Sequence, residues 1–210
     1  GDTIEDCSVV CDGGLTIDCE GVCGGNAELD ICGICNGNSS LPCNECGDGY
    51  TLYNTIPNST IILDGSSCFN DIDISSLNDI ISINSISLES PIHLGTQNWI
   101  NGRITRLEVG NYYQGGQVTL TTLPESISNM TQLSVLYANY NELTQLPNSI
   151  TDLENLVFLV LSFNQVTNLP EQIGNLTNLY WLDMGYNQLE SIPESIGSLE
   201  NLVYLWIFNN

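Results

Sequence analysis

The sequence predicts an α/β solenoid, and three observations predict it. A pentapeptide returns at a fixed interval: Leu123-Pro124-Glu125-Ser126-Ile127, Leu146-Pro147-Asn148-Ser149-Ile150, Leu169-Pro170-Glu171-Gln172-Ile173 and Ile192-Pro193-Glu194-Ser195-Ile196. Successive copies start 23 residues apart, without slippage. Between them a second pattern keeps step: Leu133, Leu136, Ala138, Asn141 and Leu143, then Leu156, Leu159, Leu161, Asn164 and Val166, then Leu179, Leu182, Met184, Asn187 and Leu189, with a last copy at Leu202, Leu205, Ile207 and Asn210. A period of this length marks supersecondary units that cannot bury their apolar faces alone and must stack.

Each position in the unit has a physical task. In Leu136-Tyr137-Ala138 the alternation is that of a strand, so Leu136 and Ala138 face inward and Tyr137 outward. One such strand per unit gives a parallel sheet. Asn141, Asn164, Asn187 and Asn210 fall where the chain leaves each strand. Their short amides suit the turn groups that the sheet leaves unpaired, one asparagine above the next. The following Leu-Pro step ends strand pairing, because proline has no N–H to donate. Ile127, Met130 and Leu133, like Ile150, Leu153 and Leu156, are spaced by three, as a tight helical turn on the outer face requires.

These motifs resemble the leucine-rich repeat family, in its extracellular form with Leu-Pro-x-x-Ile units. The resemblance implies a horseshoe with its parallel sheet on the concave face, where a protein or peptide binds. Gly95-Thr96-Gln97-Asn98-Trp99, followed by Asn101-Gly102-Arg103-Ile104, resembles the N-terminal cap of such proteins, with a tryptophan before the first strand of Ile104, Leu107 and Val109. Cys68-Phe69-Asn70-Asp71 opens a predicted helix whose face carries Ile74, Leu77, Ile80, Ile81 and Asn84, with Asn70 or Asp71 as N-cap. That helix is placed to seal the first apolar face of the stack. From Ile104 to Leu133 is 29 residues, six more than the period. The excess falls in Tyr112-Tyr113-Gln114-Gly115-Gly116-Gln117, read as a tolerated insertion or a contact loop.

Before the solenoid comes a second repeat. Asp6, Asp18 and Asp30 are 12 apart, as are Cys11, Cys23 and Cys35, with Cys7, Cys19 and Cys32 as their companions and a degenerate copy at Cys43 and Cys46. Apolar residues are too sparse here for a core, so a mostly irregular, disulfide-rich segment in an oxidising compartment is expected. Two pairings stay open. A local scheme closes Cys7–Cys11, Cys19–Cys23, Cys32–Cys35 and Cys43–Cys46, leaving Cys68 over. A staggered scheme closes Cys11–Cys19, Cys23–Cys32, Cys35–Cys43 and Cys46–Cys68, with Cys7 paired to a missing upstream repeat. The second is favoured because a secreted chain seldom leaves an odd thiol. Zinc is the rival occupant of Cys32-x-x-Cys35 and Cys43-x-x-Cys46. The Asp/Gly/Cys units loosely resemble thrombospondin type 3 calcium repeats, although the dense Asp-x-Asp-x-Asp-Gly loop is absent. Asp6, Asp12, Asp18, Glu20 and Asp30 are the carboxylates that would hold calcium, the one cofactor considered. A stapled spacer without metal is the plainer reading.

The organisation expected is a Cys-rich repeat at 1–49, a linker at 50–67, the cap at 68–102 and the leucine-rich repeats at 103–210. The start at Gly1 and the stop at Asn210, in mid-repeat, read as those of a fragment. Lys and Arg total 2 against 25 Asp and Glu, a formal net charge of -23. Such a balance excludes nucleic acid and anionic membranes as partners and suits a cation or a basic ligand, or serves solubility alone. No apolar run approaches the ~20 residues that span a bilayer. With His93 as the single histidine and no glycine-rich phosphate loop, no catalytic set assembles. Four sequons, at Asn38, Asn58, Asn129 and Asn175, are acceptors only in a eukaryotic secretory route.

Alternation places Tyr137, then Phe158 and Val160, then Trp181 and Asp183, then Tyr204, Trp206 and Phe208 on the solvent side of the strands. Strands stack about 4.8 Å apart, so Phe158, Trp181 and Tyr204 form one aromatic row. Burial explains the leucines and leaves these rings unexplained. The function expected is therefore a non-enzymatic, extracellular or cell-surface module that binds a protein or peptide on its aromatic concave face. The alternatives are a calcium-stiffened spacer or adhesion stalk, and carbohydrate stacked on the same rings.

Overall fold

Parallel pairing dominates the sheet because each repeat returns its strand to the same side of the stack. The computed structural model describes residues 46–110 and 118–210, together with the strands Val10–Cys11 and Leu15–Thr16. The chain divides into two units, Gly1–Gly47 and Asp48–Asn210. In the first, β1 (Val10–Cys11) and β2 (Leu15–Thr16) pair antiparallel, Val10 opposite Thr16 and Cys11 opposite Leu15. Cys7, Cys19, Cys23, Cys32, Cys35 and Cys43, the calcium candidates Asp6, Asp12, Asp18, Glu20 and Asp30, and the loop 112–117 lie outside the described residues. Cys46 and Cys68 form a disulfide. This is the bond the staggered pairing requires, and it rules out Cys43–Cys46 and a leftover Cys68.

In the second unit the strands are β3 (Tyr50–Leu52), β4 (Thr60–Ile62), β5 (Cys68–Asn70), β6 (Thr96–Ile100) and β7 (Arg103–Glu108), then one per repeat: β8 (Val135–Tyr137), β9 (Phe158–Val160), β10 (Trp181–Asp183) and β11 (Tyr204–Trp206). Seven of them form one sheet in the order β11-β10-β9-β8-β7-β6-β4, and β3 pairs with β5 in a second. From β7 onward neighbours are parallel and in register, with Leu107, Leu136, Leu159, Leu182 and Leu205 in one row. The six extra residues before β8 leave this register intact.

The stretch read as a linker contributes β3 and β4, because Thr60–Ile62 continues the sheet beside Thr96–Ile100. The pair β6–β7 is an antiparallel hairpin around Asn101-Gly102, both with positive φ (51° and 70°). That is the type I′ geometry Asn-Gly favours. A Cβ on Gly102 would lie 2.6 Å from the Cys68 carbonyl oxygen, so no other residue fits.

Helix α1 (Asp71–Ile83) starts where its N-cap was expected: the Asn70 side chain accepts from the Ile72 and Asp73 N–H groups. Leu77 and Ile80 are fully buried in the same core as Ile127 and Leu133 of the first repeat. At its C-terminal end the Asn84 amide donates to the Ile80 and Thr122 carbonyls and its oxygen accepts from the Thr121 and Thr122 N–H groups. Phe69 and Trp99 meet edge to face at 4.7 Å inside the same core.

The outer turns are 3-10 helices at Glu125–Asn129, Asn148–Asp152, Ile173–Asn175 and Glu194–Ser198, the form that spacing by three predicts. Here Ser149 donates its N–H to the Glu125 carboxylate and its hydroxyl to the Glu125 carbonyl. The Ser149 hydroxyl and then its backbone N–H hold the Glu125 carboxyl below its ordinary value of 4.5, with burial working weakly the other way. A depressed folded pKa contributes stability above that ordinary value, and the contribution fades as pH falls through the folded one. Ser149→Ala removes the larger cause, so the Glu125 midpoint followed by carboxyl NMR moves up toward 4.5. An unmoved midpoint would mean that the serine does not set it.

Candidate functional site

The sheet presents one face to the core and the other to solvent. Leu136, Leu159 and Leu182 are buried, while Tyr137, Phe158, Val160 and Trp181 stand half-exposed on the opposite side. Tyr204, Trp206 and Phe208 are the most open, at 41%, 40% and 49% exposure. The three rows on this face follow the strand register. Phe158, Trp181 and Tyr204 form a row of tilted rings, with centroids 6.4 and 5.1 Å apart and planes inclined at 47° and 42°. Trp206 meets Trp181 at 4.7 Å and Phe208 at 6.2 Å. Asp183 departs from the solvent position read for it: it is buried, and its Oδ1 accepts from the Gly185 N–H at 2.9 Å. The reason is local, since Gly185 leaves room for the Phe208 ring to close over this part of the face.

The asparagines do the turn work. Asn164 Oδ1 accepts from the Leu143 N–H at 3.0 Å, and its Nδ2 donates to the Ala138 and Leu161 carbonyls at 2.8 and 2.9 Å. Asn141, Asn187 and Asn210 repeat the pattern toward Leu120, Val166 and Leu189. A second, exposed ladder was not anticipated: Asn155, Asn178 and Asn201 each donate to the carbonyl 24 residues earlier, on Thr131, Glu154 and Thr177.

Also missed from sequence was a third line of rings. Tyr140, Phe163 and Tyr186, each just before a ladder asparagine, have φ of 55°, 57° and 55°. Bulky side chains are rare there, and each costs of order 1–2 kcal/mol. Tyr140 and Phe163 stack at 4.3 Å and 7° between planes, Phe163 and Tyr186 at 4.2 Å and 11°. Glycine or asparagine would hold this backbone without strain, as Asn209 does in the last repeat. The strain is thus the cost of keeping rings beside the exposed face. The signal was present: Tyr, Phe and Tyr recur at one repeat position.

Charge on this unit is one-sided. Both arginines of the chain are engaged, Arg103 with Asp73 at 2.8 Å and Arg106 with Glu108 at 2.9 Å. Arg106 also lies over the Tyr137 ring, 4.6 Å from its centroid. No group of three or more His, Cys, Asp or Glu side chains among the described residues is arranged to hold a metal. His93 accepts or donates to Ser90 at 2.8 Å and reaches the exposed Glu89 carboxylate only at 3.8 Å. These three sit within one short turn. No helix among the described residues is long and apolar enough to cross a membrane.

No family model and no curated protein matches the chain. Solved structures do. A leucine-rich-repeat protein of Leptospira interrogans is 39% identical over 43% of this chain and 23% of its own, with a TM-score of 0.41. A plant ice-binding protein is 22% identical over 68% of this chain and 49% of its own, with a TM-score of 0.56. The leucine-rich-repeat ectodomain of an Arabidopsis thaliana receptor kinase is 23% identical over 68% of this chain and 94% of its own, with a TM-score of 0.46. The matched part thus spans less than half of the first two proteins. With one parallel strand, one tight helical turn and one ladder asparagine in each repeat, the Asp48–Asn210 unit has a leucine-rich-repeat solenoid fold.

Proposed function

We propose that the chain is a non-enzymatic interaction module that binds a protein or peptide through the aromatic solvent face of its sheet, at the cell surface or outside the cell. We take this face to be the concave side of a horseshoe, with α1 and the β6–β7 hairpin as its N-terminal cap. One observation carries the reading: Phe158, Trp181, Tyr204, Trp206 and Phe208 gather on the side of the sheet that the core does not need. Exposed clusters of large rings are anchors of protein interfaces, because burying them releases much apolar area at small cost in rotamer entropy. The strained Tyr140, Phe163 and Tyr186 line supports it, since strain held in register collects at functional surfaces. The Cys46–Cys68 disulfide supports an oxidising compartment. The net charge of -23 supports a basic partner.

The test is affinity capture from cell-surface and extracellular extracts with the chain and with Trp206→Ala, after circular dichroism shows both folded. A partner held by the first and lost by the second supports recognition on this face. A partner held equally by both contradicts it.

A further inference from the structure

Three carboxylates are buried among the described residues: Asp73, Glu108 and Asp183, at 0%, 8% and 7% exposure. A carboxylate taken out of water needs a cation or several hydrogen bonds. The chain has two Lys or Arg residues in all, and the first two carboxylates hold them. Asp183 is left with one neutral donor, the Gly185 N–H. Its second oxygen has no side-chain or backbone donor among the described residues and keeps its remaining contact with solvent, where a ligand cation can reach it.

The register shows what is missing. Glu108 lies opposite Tyr137 on the next strand, and Asp183 lies opposite Trp206 on the next strand. The two pairs occupy the same place in the repeat, an acid followed by an aromatic ring. In the first pair, Arg106 from two residues earlier places its guanidinium 2.9 Å from the Glu108 carboxylate and over the Tyr137 ring. In the second pair, the position two residues earlier is Trp181. It brings a ring 4.7 Å from Trp206 and no charge. Trp181 Nε1 is itself a buried donor without a partner.

We propose that Asp183, Trp206 and Trp181 form a subsite for the guanidinium of an arginine in the bound peptide, the intermolecular counterpart of Arg106 on Glu108 and Tyr137. This rests on the reading that the sheet face binds a peptide. Guanidinium suits the place because it is flat, weakly hydrated and able to stack on indole while pairing with a carboxylate. Trp206 and Phe208 are open to solvent on one side, so a ligand reaches this part of the face directly. The acidic surface draws such a ligand in. A carbonyl of the same peptide is the acceptor that Trp181 Nε1 lacks.

The test is an NMR titration of the whole chain, reading the tryptophan indole signals. The probes are acetyl-Gly-Arg-Gly-amide and its citrulline and lysine counterparts. Citrulline keeps the shape of arginine and removes the charge. The arginine peptide is expected to shift the Trp181 and Trp206 signals to saturation, and the citrulline peptide to bind ~10-fold more weakly. Asp183→Asn keeps the acceptor for Gly185 and loses the charge, so in this variant the two peptides bind alike. Equal binding by the unchanged protein, a preference that survives Asp183→Asn, tighter binding of the lysine peptide, or no shift with any probe would each overturn the subsite. None of these depends on the extract capture, so a partner retained there alongside any of them leaves peptide recognition standing and removes the arginine subsite alone.

Discussion

Asp73→Ala lowers the stability of the Asp48–Asn210 unit by about 3–5 kcal/mol, the range for breaking a buried ion pair from one side. Asp73 has no exposure and binds three donors: Arg103 Nε at 2.8 Å, Arg103 Nη2 at 2.9 Å and the Ile104 N–H at 2.9 Å. The hydrogen bond to Asp73 is the largest cause of the raised Arg103 pKa, so the guanidinium stays charged at any working pH. Removing the carboxylate strands this charge and an N–H at the start of β7, the strand on which the repeats build. The melting temperature should fall by roughly 10 °C for a unit of this size. Asp73→Leu combined with Arg103→Met removes both charges and is expected to recover part of the loss. A drop below about 1 kcal/mol for Asp73→Ala would mean that water replaces the carboxylate in full.

Asn164→Ala comes next, at about 2–3 kcal/mol. The buried Leu143 N–H loses its acceptor, at about 1–3 kcal/mol, while the Ala138 and Leu161 carbonyls each keep one donor, from Asn141 and Asn187, and lose the other. Asn178→Ala removes a side-chain bond of the same 2.8 Å length from an exposed ladder. Water takes over there, so the change is expected to stay within about 0.5 kcal/mol. Urea denaturation of both variants checks the contrast. Equal losses would mean that the position in the repeat, rather than burial, sets the value of these amides.

Much of this was legible because the repeat reports the same environment several times. Leucines at fixed positions gave the inward rows, and spacing by three gave the outer turns. Asn70 was readable as a cap because its short side chain serves the first helical N–H groups wherever it precedes an apolar face. The Asn101-Gly102 hairpin was written in two residues yet absorbed into the larger cap motif. The strands at Tyr50–Leu52 and Thr60–Ile62 were hidden for a different reason: three residues are too few to show alternation, and their partners lie far along the chain. Asp183 was placed outward by alternation, which describes the backbone correctly and knows nothing of the Phe208 ring two residues along the next strand. The Tyr140, Phe163 and Tyr186 line was missed because periodicity rules address strands and helices, and these rings sit on a left-handed turn residue between them.

Site-specific photo-crosslinking tests the central claim most directly. A benzophenone side chain is placed at Tyr137 or Trp206 on the aromatic face, or at Asn178 or Asn201 on the exposed ladder, and irradiated with surface extract. The account predicts one common adduct from the first two positions and none from the others. Adducts from Asn178 or Asn201, with none from Tyr137 or Trp206, would contradict it and move recognition to the side of the 3-10 turns.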